Sequence, residues 1–173
     1  MENQVNSKNL IVNKGLTLGA AMVLFSLVMY ATGNLLEPHW SGSLITSVLF
    51  IGIVVWGIKS FKSENGGFLS WGQGVKIGVG IAILAGLINV VYTYVLMNFI
   101  EPDLMNQMME VQNQMYIDAG MTEEQIENTN EMSKKFQSPG ITAAMGIIAY
   151  AIGGFIVSAI GAAIMKKSEE NQY

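Results

Sequence analysis

Methionine side chains in one short stretch are the first residues whose type and spacing suggest chemistry. Met105, Met108 and Met109 lie at positions i, i+3 and i+4, which share one face of a helix. Thioether sulfurs are soft ligands suited to Cu(I), so the pattern raises the question of a copper site. No His or Cys lies among these methionines, and Met also fills loosely packed helix pairs. We therefore favour packing over metal binding, and we predict no cofactor.

Acidic residues farther along the chain are the second set of possible cation ligands. Glu123 and Glu124, with Glu127 about one helical turn later, bring three carboxylates together. Calcium-binding loops need a tighter spacing of oxygen ligands together with a Gly, so a solvated acidic helix face explains these residues better. The single histidine, His39, lies in a short turn and is expected to be structural.

Uncharged polar residues inside the apolar stretches are a third set. Asn34, Asn89 and Tyr92 could line a polar route between helices, but transport paths usually contain charged residues or broken helices within the membrane. We favour hydrogen bonding between neighbouring helices. Small residues also recur at a spacing of four, which lets helices approach closely in lipid; the packing candidates are Gly78, Gly154 and Ser158.

Composition identifies the medium in which these residues act. Apolar residues make up 51% of the 173 residues and charged residues only 13%, about half the charged share of a soluble domain. The chain has no Cys, which excludes disulfides and thiolate chemistry. A net charge of −4 with no basic patch argues against nucleic acid as a partner. No catalytic constellation stands out, so we predict that the protein is not an enzyme.

Four apolar blocks organise the chain. They span residues 16–36, 43–61, 76–100 and 140–165, and each is long enough to cross a hydrocarbon core of about 30 Å as a helix. We predict an all-α polytopic membrane protein with four transmembrane helices in one domain. A cleaved signal peptide is the alternative for the first block, although its small residues on one helical face favour a permanent helix.

The long polar segment between the third and fourth blocks predicts a helical hairpin over residues 102–138. Apolar residues recur at helical spacing in both of its halves. Gly120 provides a helix-ending signal between the halves, and Thr122 with Gln125 has the spacing of a capping box. Ser138 followed by Pro139 is typical of the start of the last helix. A disordered loop is the alternative for this segment.

Lysine positions predict the orientation in the membrane. The N-terminal tail, the loop between the second and third blocks, and the C-terminal tail together hold seven of the nine Lys residues. The positive-inside rule therefore places both termini in the cytoplasm and the acidic hairpin outside.

One loop carries a resemblance to a known family. The specific residues are the run from Glu64 to Gly72, Glu-Asn-Gly-Gly-Phe-Leu-Ser-Trp-Gly, followed by the run from Val75 to Gly78. With this loop and the order of its apolar blocks, the chain resembles domain-of-unknown-function family 4199 (DUF4199), small bacterial membrane proteins common in Bacteroidota. The resemblance implies a four-span bundle in a bacterial inner membrane. It implies no catalytic or binding residue.

Two functional hypotheses follow. The first is a non-enzymatic structural or interaction protein of the inner membrane that presents its Met-rich acidic hairpin to a periplasmic or membrane protein partner. The second is a small transporter or channel with a polar path near Asn89. Because four short helices rarely enclose a path alone, the second hypothesis requires a homo-oligomer. In both, the lipid bilayer surrounds the apolar helices.

Overall fold

A computed structural model describes residues 6–36, 40–136 and 138–167. Within these ranges the chain forms six α-helices, one π-helical turn and no strand. The prediction of an all-α protein with four long apolar helices is confirmed, because four helices are long and apolar enough to cross a membrane. The elements are α1 (Ser7–Ala31), α2 (Trp40–Glu64), α3 (Trp71–Val95) with the π-helical turn Leu96–Ile100, α4 (Leu104–Asp118), α5 (Glu123–Phe136) and α6 (Pro139–Met165).

Capping residues set the helix ends in the hairpin as predicted. The Thr122 N–H donates to Gln125 Oε1 at 2.9 Å, and the Gln125 N–H donates to Thr122 Oγ1 at 3.3 Å, which completes the capping box of α5. Gly120 adopts a positive φ of 80° after α4, a conformation that a residue without a Cβ reaches easily. The Ser138 hydroxyl accepts from the Ile141 N–H at 3.4 Å and caps α6.

The third helix begins earlier than its predicted start near residue 76. α3 starts at Trp71 because Ser70 and Gln73 form a capping box, which satisfies two N–H groups that a helix start would otherwise leave unpaired. Ser70 and Gln73 have the spacing of a capping box, but the glycines around them made a helix start at this position hard to predict. The loop between α2 and α3 is correspondingly short.

The first helix is shifted toward the N-terminus relative to the predicted block of residues 16–36. Asn6 caps α1 by accepting from the Asn9 N–H at 3.2 Å, so the helix includes polar residues ahead of the apolar block. α1 ends at Ala31, two residues before Gly33, whose φ is +72°. Asn34 therefore lies beyond the helix.

Helices α3 and α6 pack along a seam of small side chains. The contacts pair Gly74 with Ala162, Gly78 with Ser158, Ala82 with Gly154 and Gly86 with Tyr150. One residue number rises by four as the other falls by four, so the two helices run antiparallel in a single register. A Cβ on Gly74 would lie 2.5 Å from Ala162 Cβ, which no real pair of side chains tolerates. The backbones are close because these positions are small.

Helix α3 also forms the contact surface for α1 and α2. On the α1 side, Leu84 packs against Gly15 and Ile88 packs against Gly19, and the equal spacing of four on both helices shows that they run parallel. On the α2 side, Ile81 packs against Gly57. α3 is therefore the central helix of the bundle.

The surface of the bundle is apolar around its sides and charged at its ends. Large side chains such as Leu24, Val48 and Val91 are more than half exposed, as expected of residues that face lipid rather than water. One end carries Lys8, Lys14, Lys59, Lys62, Lys76, Lys166 and Lys167, and we call it the lysine end. The opposite end carries α4 and α5, and we call it the hairpin end.

Candidate functional site: two cavities around Asn89

Two cavities lie between the membrane helices in the half of the bundle nearer the hairpin end. The larger, about 890 Å³, lies among α1, α2 and α6, with Asn89 of α3 in its wall. The smaller, about 520 Å³, lies between α3 and α6 and includes Met105 from the start of α4. Asn89 and Tyr150 line both cavities. Both volumes fall in the range of about 300–1,000 Å³ that is typical of small-molecule sites.

Asn89 bonds to its own helix rather than to a neighbouring one. Its Nδ2 donates to the Ala85 carbonyl oxygen at 3.0 Å, four residues earlier in α3. The sequence-based interpretation favoured an amide that joins two helices, and the structure differs because cavities flank this position on both sides. No described residue donates to Asn89 Oδ1, so an acceptor atom remains available at the cavity wall.

Of the other two predicted polar residues, Asn34 shares the larger cavity with Asn89, whereas Tyr92 lines neither cavity. Asn34 lines the larger cavity near the hairpin end, and its Nδ2 donates to the Thr32 carbonyl and hydroxyl oxygens at 3.2 and 3.0 Å. The Tyr92 hydroxyl is buried and has no hydrogen-bond partner among the described residues. Tyr92 is not among the residues that line either cavity, so the three side chains do not form one continuous path.

The candidate metal ligands occupy different surroundings. Met105 lines the smaller cavity, whereas Met108 is 47% exposed. Met109 is half-buried on the same helix. Glu123, Glu124 and Glu127 are exposed on α5, and no group of three His, Cys, Asp or Glu side chains in the described ranges could hold a metal ion. His39 lies outside the described residues.

A carboxylate at the hairpin end joins three elements. Glu101 follows the π-helical turn, and its N–H donates to the Leu96 carbonyl at 2.8 Å. The Tyr30 hydroxyl of α1 donates to Glu101 Oε2 at 3.0 Å, and Gln107 Nε2 of α4 donates to Oε1 at 3.1 Å. Because both carboxylate oxygens are bonded, Glu101 fixes the start of the hairpin relative to α1 and α3.

The loop between α2 and α3 is latched to the end of α6 at the lysine end. Gly66 and Gly67 adopt positive φ values of 63° and 86° and reverse the chain, and Leu69 is fully buried. Leu69 and Lys167 exchange two backbone hydrogen bonds of 2.9 Å each. Trp71 Nε1 adds a bond to the Ala159 carbonyl at 3.1 Å. We call residues 65–71 and their contacts on α6 the latch.

The latch contains most of the run from Glu64 to Gly72, which is one part of the sequence resemblance. A comparison with known protein families matches residues 13–167 to the family described as "Protein of unknown function (DUF4199)". The chain belongs to the DUF4199 family. No curated protein and no solved structure matches the chain.

The DUF4199 match runs from within α1 to Lys167, the last residue of the latch. It therefore includes both cavities, Glu101 and the hairpin. The family description assigns no activity, so function has to be argued from these features.

Sequence reasoning missed two of the features that position the site. The bond from Tyr30 to Glu101 joins residues 71 positions apart, and an acidic residue at the end of a predicted helix does not indicate such a partner. Gln107 lies only six residues from Glu101, but its spacing matches no capping motif. The role of Leu69 in the latch could not be predicted, because the sequence does not show that this one Leu in a polar loop is buried and paired with Lys167.

Proposed function

We propose that the protein is a multi-pass protein of the bacterial inner membrane, with the lysine end in the cytoplasm and the hairpin outside. Seven Lys residues belong to the lysine end and only Lys134 and Lys135 belong to the hairpin. Short loops that are rich in Lys stay on the cytoplasmic side of the membrane during insertion. Both termini are then cytoplasmic.

We further propose that the hairpin is a docking site for a protein segment that is basic and amphipathic. The observation that carries this proposal is a set of apolar side chains left exposed on acidic helices. Between 47% and 64% of the surface of each remains accessible. The exposed residues are Met108, Met115, Ile117, Met132 and Phe136.

The hairpin helices cover little of each other. Leu104 is the buried residue of α4 and Ile126 is the buried residue of α5. A side-chain hydrogen bond from Asn130 Nδ2 to Asn113 Oδ1 at 3.0 Å joins the two helices. The apolar residues at helical spacing were expected to pack within the hairpin, but Met108, Met115, Met132 and Phe136 remain exposed and leave an apolar surface for a partner.

Charge indicates the chemistry of that partner. Residues 101–136 contain eight acidic side chains and two Lys residues. An acidic surface attracts cationic segments and repels anionic lipid headgroups. A partner helix with Lys on one face and Leu on the other matches both the charge and the exposed apolar groups.

Peptide binding to the full-length protein in lipid nanodiscs tests the proposal. We expect an amphipathic Lys/Leu helix to bind more tightly than the matched Glu/Leu helix, and more weakly as salt rises. The double variant Met132→Gln with Phe136→Gln should lower the affinity, whereas the control Asn128→Gln, on the same helix, should not. Equal binding of both peptides would overturn the proposal.

Crosslinking in native membranes provides a second test. Deleting residues 105–134 should leave membrane insertion intact and remove crosslinked partner proteins. If the same partners remain, the hairpin is not the contact.

A transporter or channel is the second candidate function, and the position of Asn89 in the walls of both cavities favours it. This function requires a stable homo-oligomer. A monomer in detergent together with unchanged solute flux in liposomes for Asn89→Leu would contradict it.

A further inference from the structure

The larger cavity lies where α2 packs less closely against the bundle, over its first half. All four buried residues of α2, Val54, Gly57, Ile58 and Phe61, lie in its second half. Ser43 and Ser47 in the first half are exposed, although both line the cavity. The gap is therefore a groove that opens to the sides of the bundle, on the hairpin side of the membrane.

The groove has an apolar wall. Side chains of Met22 and Phe25 from α1, and of Ile156 and Val157 from α6, line it. These residues match the hydrocarbon part of a lipid. In a bilayer such a groove is filled by an acyl chain rather than by water, because apolar surface at this depth has no access to water.

Six polar residues line the same groove. They are Ser26, Asn34, Ser43, Thr46, Ser47 and Asn89. None of the described lining residues is charged, and a charged ligand group without a partner is costly at this depth. The occupant is therefore neutral.

The polar groups present both hydrogen-bond acceptors and donors. Thr46 Oγ1 donates to the Gly42 carbonyl at 3.0 Å, and Ser47 Oγ donates to the Ser43 carbonyl at 2.7 Å. Asn89 Nδ2 is used within α3, as described above. Thr46 and Ser47 thus offer their oxygen lone pairs to a ligand, whereas Asn89 offers both Oδ1 and the second N–H of its amide. A hydroxyl group both donates and accepts, so a ligand that carries hydroxyl groups complements this mixed lining.

We propose that the groove binds one neutral amphiphile, a single hydrocarbon chain that carries hydroxyl groups, which enters sideways from the lipid. The site is distinct from the hairpin surface and requires no transport. Its occupant fills the space between α2 and the rest of the bundle.

Photolabelling of the full-length protein in phosphatidylcholine nanodiscs tests whether the groove binds such an amphiphile. The probe is a monoacylglycerol with a diazirine in its chain, and labelled peptides are mapped by mass spectrometry. We expect the label to concentrate at the more buried groove residues, such as Met22, Phe50 and Val157. Unlabelled monoolein should compete, whereas methyl oleate, which has no donor, and oleate, which is charged, should compete several-fold less well.

Two variants and a matched control locate the site. Ser47→Leu fills the groove and should reduce labelling by about fivefold or more. Val48→Leu introduces the same side chain at the next residue, which is 61% exposed and is not among the lining residues, and should have no effect. Thr46→Val keeps the side-chain shape and removes the hydroxyl, so it should reduce the preference for monoolein over methyl oleate about threefold, as expected for one hydrogen bond within a membrane.

Three results of these experiments would contradict the proposal or part of it. The proposal is overturned if label spreads evenly over lipid-facing residues such as Leu44 and Ile152, or if Ser47→Leu behaves like Val48→Leu. Equal competition by oleate overturns the neutral-ligand assignment. If Ser47→Leu fails to fold, as judged by size-exclusion chromatography, Thr46→Val alone decides.

Discussion

Leu69 pairs with Lys167 through two backbone hydrogen bonds of 2.9 Å, one in each direction. This pairing joins the loop before the central helix to the residue just after the end of α6. The Leu69 side chain is fully buried in the apolar core. The latch therefore closes the lysine end of the bundle through both backbone and side-chain contacts.

Leu69→Ala should destabilise the protein by about 2–5 kcal/mol, because truncating a fully buried Leu loses packing and leaves a void. Thermal unfolding in detergent measures the loss. Leu24→Ala is the matched control, since Leu24 is 63% exposed on the side of the bundle and should change the stability little. Equal losses for the two variants would show that the latch does not stabilise the bundle.

Gly78→Val should weaken the seam between α3 and α6. Its Cβ would overlap Ser158, and the two backbones can separate only by losing the other close contacts of the seam. The expected cost is about 1–3 kcal/mol, measured by thermal unfolding. Gly52→Val in α2 tests the general effect of Val at a helical Gly, because a Cβ on Gly52 meets nothing within 4 Å. A similar midpoint of thermal unfolding for both variants would argue against close packing at the seam.

Tyr30→Phe should loosen the start of the hairpin. The change removes the donor to Glu101 Oε2, and a hydrogen bond of about 1 kcal/mol corresponds to roughly a fivefold change in a local opening equilibrium. Hydrogen exchange of the first turn of α4 should accelerate accordingly. Tyr94→Phe is the control, since Tyr94 is about half exposed and its ring contacts Phe99 rather than Glu101. Unchanged exchange in Tyr30→Phe would mean that this bond does not hold the hairpin.

Single cysteines test the proposed sidedness, because the native chain contains none. Ser63→Cys places a thiol at the exposed end of α2, and Glu124→Cys places one on the hairpin. A membrane-impermeant maleimide should label Glu124→Cys in intact spheroplasts, and should label Ser63→Cys only after the membrane is permeabilised. The opposite pattern would invert the orientation.

Local signals were sufficient to predict the elements of the fold. Long uncharged stretches such as the one containing Asn89 predict membrane helices because a buried backbone in lipid must bond within its own segment. Thr122, Gln125 and Ser138 predicted helix starts because a cap involves residues only three positions apart. These features depend only on residues that are close together in the chain, so they can be predicted from a single sequence.

Tertiary structure alone decided which side chains meet. Helices in lipid gain little from burying apolar groups against each other, so their pairing depends on matching shapes between distant segments. The pairing of Gly78 with Ser158, the bond from Tyr30 to Glu101 and the looser packing of the first half of α2 all depend on how distant segments fit together. The sequence by itself determined four apolar helices and a hairpin, and the packing of those helices determined the two cavities and the neighbours of Asn89.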